Sequence, residues 1–463
     1  MRRFPAHAVV VNTKTVSLER IHQFRHSVAK SFRVEGDVLF NLVDSLTVGP
    51  RPVSAVETTL SPAWNYDFSN LYAALTRSGK RLADNICDND WLQDLRHARL
   101  KWLQAGQSEP PNKATGKWQV RILDATDYPR PKTETVRVGY VHSAEGMRKG
   151  HGLSILSARV GEGSWTLPLE IGWIPVDSHP ITYGVVQMEE FVKREGWKPA
   201  QVLVVDAQYT VEPFLRPVHE LKVPVLGRVA GNRTFFAPPP EYTGIGRPKV
   251  RGEKIRLCDD RTLPAGDIEE EWQSGRNTRI EVRRWDNVRM RQWPNQPLSL
   301  YRVIEYKADG QARFKRPLWL IFVSGEPGDD PPSPREAQAI YEERFGIEHS
   351  IRFLKHELGL TAGQFGSVEA EGRVQVWTEM VATSFWNLWA LAGLVDEKNR
   401  NIPKWWRGNK ITPGAVRRMA CGLLMEFGWS KPESKPRGKS PGRVQGSISR
   451  PRPRPNSHQT SSP

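Results

Sequence analysis

The chain has 463 residues, 38% of them hydrophobic, and carries 67 Lys and Arg against 51 Asp and Glu, a formal net charge of +16. That length predicts two or three domains with a real core, and the charge points to a polyanionic partner, because each neutralised phosphate releases a condensed counterion. Three widely separated cysteines, Cys87, Cys258 and Cys421, give no zinc spacing and no disulfide framework, which fits a reducing, cytoplasmic setting. The apolar stretch after Arg2 and Arg3 is too short for a signal peptide. Residues 376–395 include Glu379, Thr383 and Asn387, so they read as a buried helix and no membrane partner is expected.

Residues 1–108 read as a helical domain. Ser17 can cap a helix whose apolar residues Ile21, Phe24, Val28 and Phe32 recur at helical spacing, with Arg20, Arg25 and Lys30 on the same segment. Val38 to Leu46, Leu71 to Leu82 and Trp91 to Leu103 make three further stripes, and Gly106 with the pair Pro110 and Pro111 marks a boundary.

The pattern changes at Trp118 and predicts an α/β segment over 115–222. A short strand over 119–123 ends at Asp124; 152–160 and 165–174 read as two more strands; a helix over 186–195 precedes the uninterrupted apolar run 202–205, which ends at Asp206. Residues 223–332 are rich in Arg, Gly and Pro with short alternating stretches, and predict a β-rich insertion. Helical character resumes near Pro334 and fills 333–427. The tail, 428–463, has almost no apolar residue and is expected to be disordered; eight Lys and Arg and one Glu fall within 430–463, so the rest of the positive excess belongs to the folded body.

Two aspartates thus follow apolar strands, where α/β sheets gather ligands, although an Asp there is as often a turn or cap residue. Asp127, three residues past Asp124, is the alternative ligand on the first strand. The third element is one helix from Tyr341 to Lys355. Tyr341, Arg344, Glu348 and Lys355 stand at offsets 0, 3, 7 and 14, within an arc of roughly 60° on a regular helix, beside the apolar stripe Ile347, Ile351, Leu354 and Leu358. Ordinary surface salt bridges explain Arg344 and Glu348 at i, i+4, but not the whole row. Glu342 and Glu343 point off this arc and are expected to be solvated or near the helix start.

Tyr, two residues, Arg, three residues, Glu, six residues, Lys resembles the YREK signature of insertion-sequence transposases of the IS-four superfamily. Asp124-Ala125-Thr126 resembles that family's Asp-x-Thr element, and Asp206 after its apolar strand resembles the second aspartate. Glu348 follows Asp206 by 142 positions, which suits a family that carries a β-strand insertion there; Ala207, Gln208 and Tyr209 depart from the basic residue and Gly of many relatives. The resemblance covers about residues 118–360 and implies a ribonuclease-H-like catalytic core interrupted by the insertion, with Asp124, Asp206 and Glu348 as metal-binding catalytic carboxylates.

Such a set suits two Mg2+ ions, with Mn2+ able to substitute, because hard cations take oxygen ligands and two of them can serve the attacking and leaving oxygens of an in-line displacement at phosphorus. By resemblance, Tyr341, Arg344 and Lys355 hold DNA phosphates, and the activity is cut-and-paste transposition: metal-dependent cleavage at transposon ends and strand transfer into target DNA. The partners implied are double-stranded DNA and a second copy in a synaptic homodimer, with a bacterial, nucleoid-associated location. Hairpin formation is a further family expectation. In the insertion, Arg251, Arg283, Trp285 and Trp293 combine charge with aromatic rings in a way that suits DNA backbone contact and base stacking, although core packing is the more common role for any single Trp. Lys398 to Arg418 form another basic, aromatic segment. Two other readings remain: a transposase-derived DNA-binding protein without catalysis, and a metal-dependent nuclease without strand transfer.

Overall fold

The computed structural model describes residues 18–425 apart from 33–34, 84–89, 107–112, 134–137, 144, 162–164, 243, 245–246, 275–277, 327–329, 366–369 and 398–410. The expected tail, and most of the basic segment after Lys398, lie outside the described residues.

The four helical stripes become α1 (Leu18–Ser31), α2 (Gly36–Val48), α3 (Phe68–Ala83) and α4 (Asp90–Gly106). Ile21, Phe24 and Val28 are buried as the periodicity predicts. Strands β1 (Gln119–Pro129), β2 (Gly139–Ser143), β3 (Gly146–Arg159) and β4 (Thr166–Ile174) follow, then α5 (Pro180–Glu195), β5 (Gln201–Val205), α6 (Glu212–Glu220) and β6 (Val225–Val229). Six short or alternating strands come next: β7 (Thr234–Phe236), β8 (Lys254–Arg256), β9 (Ile268–Ser274), β10 (Thr278–Met290), β11 (Leu298–Tyr306) and β12 (Leu318–Val323). The described chain closes with α7 (Pro334–Glu342), α8 (Phe345–His356), α9 (Ala370–Glu397) and α10 (Pro413–Met425).

All twelve strands belong to one mixed sheet. Its first part runs β4, β3, β1, β5, β6: the β4–β3 and β3–β1 pairs are antiparallel, the β1–β5 and β5–β6 pairs parallel. β5 is buried along its whole length, as an apolar run covered on both faces must be. β6 falls within the range expected for the insertion, yet it pairs with β5. From there β12 pairs antiparallel with β6, and β11, β10 and β9 continue outward. The β-rich stretch is therefore an extension of the central sheet. Val225-Leu226-Gly227-Arg228-Val229 conceals its strand because Gly and Arg interrupt the apolar pattern.

The N-terminal helices pack on α9, from the far end of the chain. Gly79 of α3 and Gly372 of α9 meet backbone to backbone; a Cβ on Gly372 would stand 2.1 Å from the Gly79 carbonyl oxygen. Arg25 Nη1 donates to Asp44 Oδ1 at 2.8 Å and to Asn387 Oδ1 at 3.0 Å, so this arginine points inward between α1, α2 and α9. Also on α9, Glu379 accepts from Arg96 Nη2 at 2.7 Å and from Arg99 Nη2 at 2.8 Å, all three nearly or fully buried. Burial alone would raise the Glu379 pKa, but Arg96 and Arg99 hold it below the usual range. α9 is buried around most of its circumference because it is the central helix; no helix among the described residues is long and apolar enough to cross a membrane.

Removing one member of a buried ion cluster leaves the others uncompensated. Glu379→Ala is expected to lower folding stability by about 3 kcal/mol or more, read from urea denaturation; an unchanged midpoint would show that the cluster contributes nothing net.

Candidate active site

β1 and β5 pair in parallel up to Leu123 and Val205, the last register partners. The next residue on each side is an aspartate, so Asp124 and Asp206 stand side by side just past the end of the parallel pairing. β1 does not end at Asp124, as the sequence suggested; it runs on to Pro129 because β3 continues to pair with it. Asp124 lies at the end of the parallel pairing, not of the strand.

The expected single helix from Tyr341 to Lys355 is two. Ser333 and Glu336 form a reciprocal capping box that starts α7, with Pro334 in the first turn. The backbone then tightens: Arg344 N bonds to Tyr341 O, Gly346 N to Glu343 O and Ile347 N to Arg344 O, each at 3.0 Å and each spanning three residues instead of four. Arg344 falls in this junction. Gly346 lets α8 begin directly on β4, since a Cβ there would lie 2.3 Å from Thr166 Oγ1. Glu343, expected to be solvated or near the helix start, lies just before α8 and forms an ion pair with the buried Arg159; Glu342 is exposed.

Arg344 joins the acids. It is buried, donates from Nη2 to Glu348 Oε1 at 2.7 Å, and holds Nη1 3.7 Å from Asp124 Oδ2. Its guanidinium also lies 5.7 Å from the Tyr341 ring and 5.3 Å from the Phe345 ring. Burial works against its charge, but Tyr341, Asp206, Glu348 and Asp124 together raise its pKa. Asp124 Oδ1 accepts from Ala125 N at 2.9 Å. Its carboxyl is pushed up to about 6, first by burial, with Asp206 and Glu348 adding to the rise and Arg344 and Ala125 opposing it. Asp206 Oδ1 is buried and accepts no hydrogen bond; Arg228 Nη1 stands 4.0 Å away. The Tyr341 hydroxyl is pushed up to about 12, chiefly by burial.

Lys355 reaches back from the end of α8 to β1, donating to Thr126 Oγ1 at 2.7 Å and to Asp127 O at 2.6 Å. Burial lowers its pKa, against the attraction of Asp127. The Asp127 carboxylate itself faces the hairpin, where Oδ2 accepts from His142 N at 3.1 Å. Asp124, not Asp127, is the β1 carboxylate that meets Arg344.

The insertion residues lie elsewhere. Trp285 and Trp293 are core side chains, 3% and 9% exposed. Trp285 Nε1 donates to Pro264 O and its ring packs on Trp319; Trp293 packs edge-on against His219. Rings held in this way are not open to a base, which corrects their expected role in DNA stacking. Arg283 is ion-paired with Glu281 and Glu269, and Arg251 lies over Phe236 while donating to Arg291 O. None of the four touches the acids. Arg228 was missed by the sequence reading; its signal is positional, one residue past the Val205–Gly227 register pair.

The donor set suits a hard cation. All three acids offer oxygen, and the buried Asp206 Oδ1 lacks a partner. As arranged, no three acidic, His or Cys side chains among the described residues converge to ligating distance; Arg344 holds Glu348 to itself.

The raised Asp124 pKa has a stability consequence. A carboxyl whose folded pKa exceeds its unfolded one favours the folded state below about pH 4 and loses that contribution as pH rises through about 6. Asp124→Asn should therefore stabilise the metal-free protein at pH 8, by roughly 2 kcal/mol, and leave it unchanged at pH 3. Thermal melts at the two pH values check this; destabilisation at pH 8 would contradict it.

Residues 186–296 match the model of a family described as DDE superfamily endonuclease. That segment carries Asp206 and Arg228 and includes neither Asp124 nor Glu348. No curated protein matches the sequence. Among solved structures the chain is similar to one described as a cryo-EM structure of a piggyBac transposase synaptic complex with hairpin DNA. Identity is 11% and the TM-score 0.36, over 78% of this chain and 64% of that one; a likeness this distant carries no argument.

Proposed function

We propose that the protein is a DDE transposase that cuts DNA at transposon ends and joins the freed strand to target DNA. The observation that carries this reading is that Asp124 and Glu348 both face one buried arginine, with Asp206 beside Asp124 at the end of the β1–β5 pairing. The strand order β4, β3, β1, β5, β6, antiparallel then parallel, supports a ribonuclease-H-like core, and the endonuclease family match supports DNA cleavage.

In this reading Asp124 and Asp206 hold divalent metal, Mg2+ or Mn2+, with Glu348 completing the set. Bound metal would supply Lewis acidity at the scissile phosphate and lower the pKa of an attacking water. The protein's own groups do the rest. Arg344 releases Glu348 and turns its fork to phosphate oxygen, for which bidentate geometry suits it. Arg228, half-exposed beside Asp206, offers a second cation to the same phosphate. Lys355 fixes α8 against β1 through Thr126 and Asp127 and so sets the distance between Glu348 and Asp124. In the first step a water oxygen bonds to phosphorus as the bond to the 3′ oxygen breaks, and that oxygen leaves as a 3′ hydroxyl with a proton from the water; in the second the 3′ oxygen bonds to phosphorus of the target phosphodiester, its proton passes to the target's own 3′ oxygen, and that oxygen leaves as the bond holding it to phosphorus breaks. Two copies acting on two ends, with the N-terminal helices on the terminal repeats, complete the proposal.

Purified protein with Mg2+ and duplexes from the DNA flanking its coding sequence should nick one strand and join a 3′ end to plasmid. Glu348→Ala and Asp206→Asn should each lower cutting by at least about 100-fold; Arg228→Ala should lower it by about tenfold with the metal dependence unchanged. Equal cutting by wild type and Glu348→Ala would sink the triad, and nicking with no joined product would leave a nuclease.

A further inference from the structure

A hollow of about 500 Å³ opens on the N-terminal helices, between the end of α1, the first half of α2 and the residues just before α3. The rings of Phe32, Phe40 and Tyr66 line it, together with Asp37, Asn41 and Asp44. Among the described residues no Lys or Arg lines it, although the chain carries a net charge of +16. Its polar floor is fixed. Asn41 is buried, donates from Nδ2 to Ala63 O at 2.6 Å and accepts from Asn65 N at 2.9 Å. The buried Asp44 is already bound to Arg25, whose guanidinium also lies 4.8 Å from the Phe40 ring. One wall of the hollow thus already holds a guanidinium between a carboxylate and a ring.

Asp37 is left over. It is exposed, and no cation among the described residues pairs with it. Burial and then the Asp37 charge raise the pKa of the Tyr66 hydroxyl, so the Asp37 carboxylate lies close to that ring. A place in the first turn of α2 explains an acid at this position, but not the three rings lining the same hollow. A carboxylate beside open ring faces offers a cation both a partner for its charge and a surface to lie on. The size suits one long side chain and its backbone.

We propose that this hollow binds a basic side chain from residues 430–463 of the same chain. That segment holds eight Lys and Arg, one Glu and almost no apolar residue, so charge is what it can offer to the folded body. It follows α10, which packs on α2. Lys431 comes six residues after Met425, the end of α10, and so reaches about 20 Å from it. The 13 residues of α2 span about 20 Å. Every later basic residue reaches further, which puts the hollow within range of the whole segment.

The test uses the full chain with the photo-crosslinking amino acid p-benzoylphenylalanine in place of Asn65 on the rim, a change that keeps the backbone bond to Asn41 Oδ1. Irradiation, digestion and mass spectrometry should place crosslinks within 430–463, in protein that runs as a monomer on a denaturing gel. Asp37→Arg should lower their yield by about tenfold with an unchanged melting temperature, and Asp37→Asn should lower it in the same direction. Glu189→Arg makes the same change of charge at an exposed position on α5 and should leave the yield as it is. Absence of crosslinks to 430–463 overturns the proposal. An equal fall in Glu189→Arg also overturns it, because the segment would then follow net charge and not the hollow. Crosslinks that join two chains overturn the assignment to the same chain.

Discussion

A buried guanidinium governs this molecule. Three carboxylates brought to one place repel each other, and burial of any of them is costly unless a cation shares the space. Arg344 is that cation. It bonds Glu348, stands near Asp124, and lies within the field of Asp206. Asp124 still feels the cost, since its carboxyl is pushed up to about 6. Everything around the site serves to put Arg344 there: the tightened backbone between α7 and α8 turns it inward, Gly346 lets α8 lie on β4, and the Tyr341 and Phe345 rings flank its charge.

The wider fold holds this arrangement from behind. Phe353 of α8 packs on Phe385 of α9, 5.5 Å between ring centres, and Phe385 stacks in turn on Trp165 beside β4. α9 is gripped by the N-terminal helices through the Arg96, Arg99 and Glu379 cluster and through Arg25, Asp44 and Asn387. The helix that carries Glu348 thus rests on a core built from both ends of the chain. On the sheet side, the β1–β5 register sets the two aspartates beside each other.

Much of this was legible in the sequence. Helical periodicity marked α1 to α4, because their apolar residues recur at helical spacing; α2 is buried well beyond its apolar stripe, with Asn41, Asp44 and Thr47 also inside. The buried run 202–205 announced β5. Of the four residues at those offsets, Tyr341, Arg344 and Glu348 lie together in the structure, whereas Lys355 reaches β1 at Thr126 and Asp127. What was illegible has physical reasons. The junction between α7 and α8 changes hydrogen bonds from four residues to three while Glu343 and Arg344 keep helical dihedrals, so no breaker residue announces it. Arg228 matters only through a register between β5 and β6, which no local pattern encodes. The basic and aromatic composition of the insertion looked like a DNA surface, but Trp285 packs on Trp319 of the sheet and Trp293 on His219 of α6. Composition cannot tell a stacking ring from a packed one.

The central claim is that the three carboxylates form one metal centre. Replacing the metal with Fe2+ and adding ascorbate and peroxide cuts a polypeptide next to the bound ion. The account predicts three pairs of fragments, from cuts near Asp124, Asp206 and Glu348, all suppressed together by excess Mg2+. Cuts at only one of the three, or at none, would contradict it.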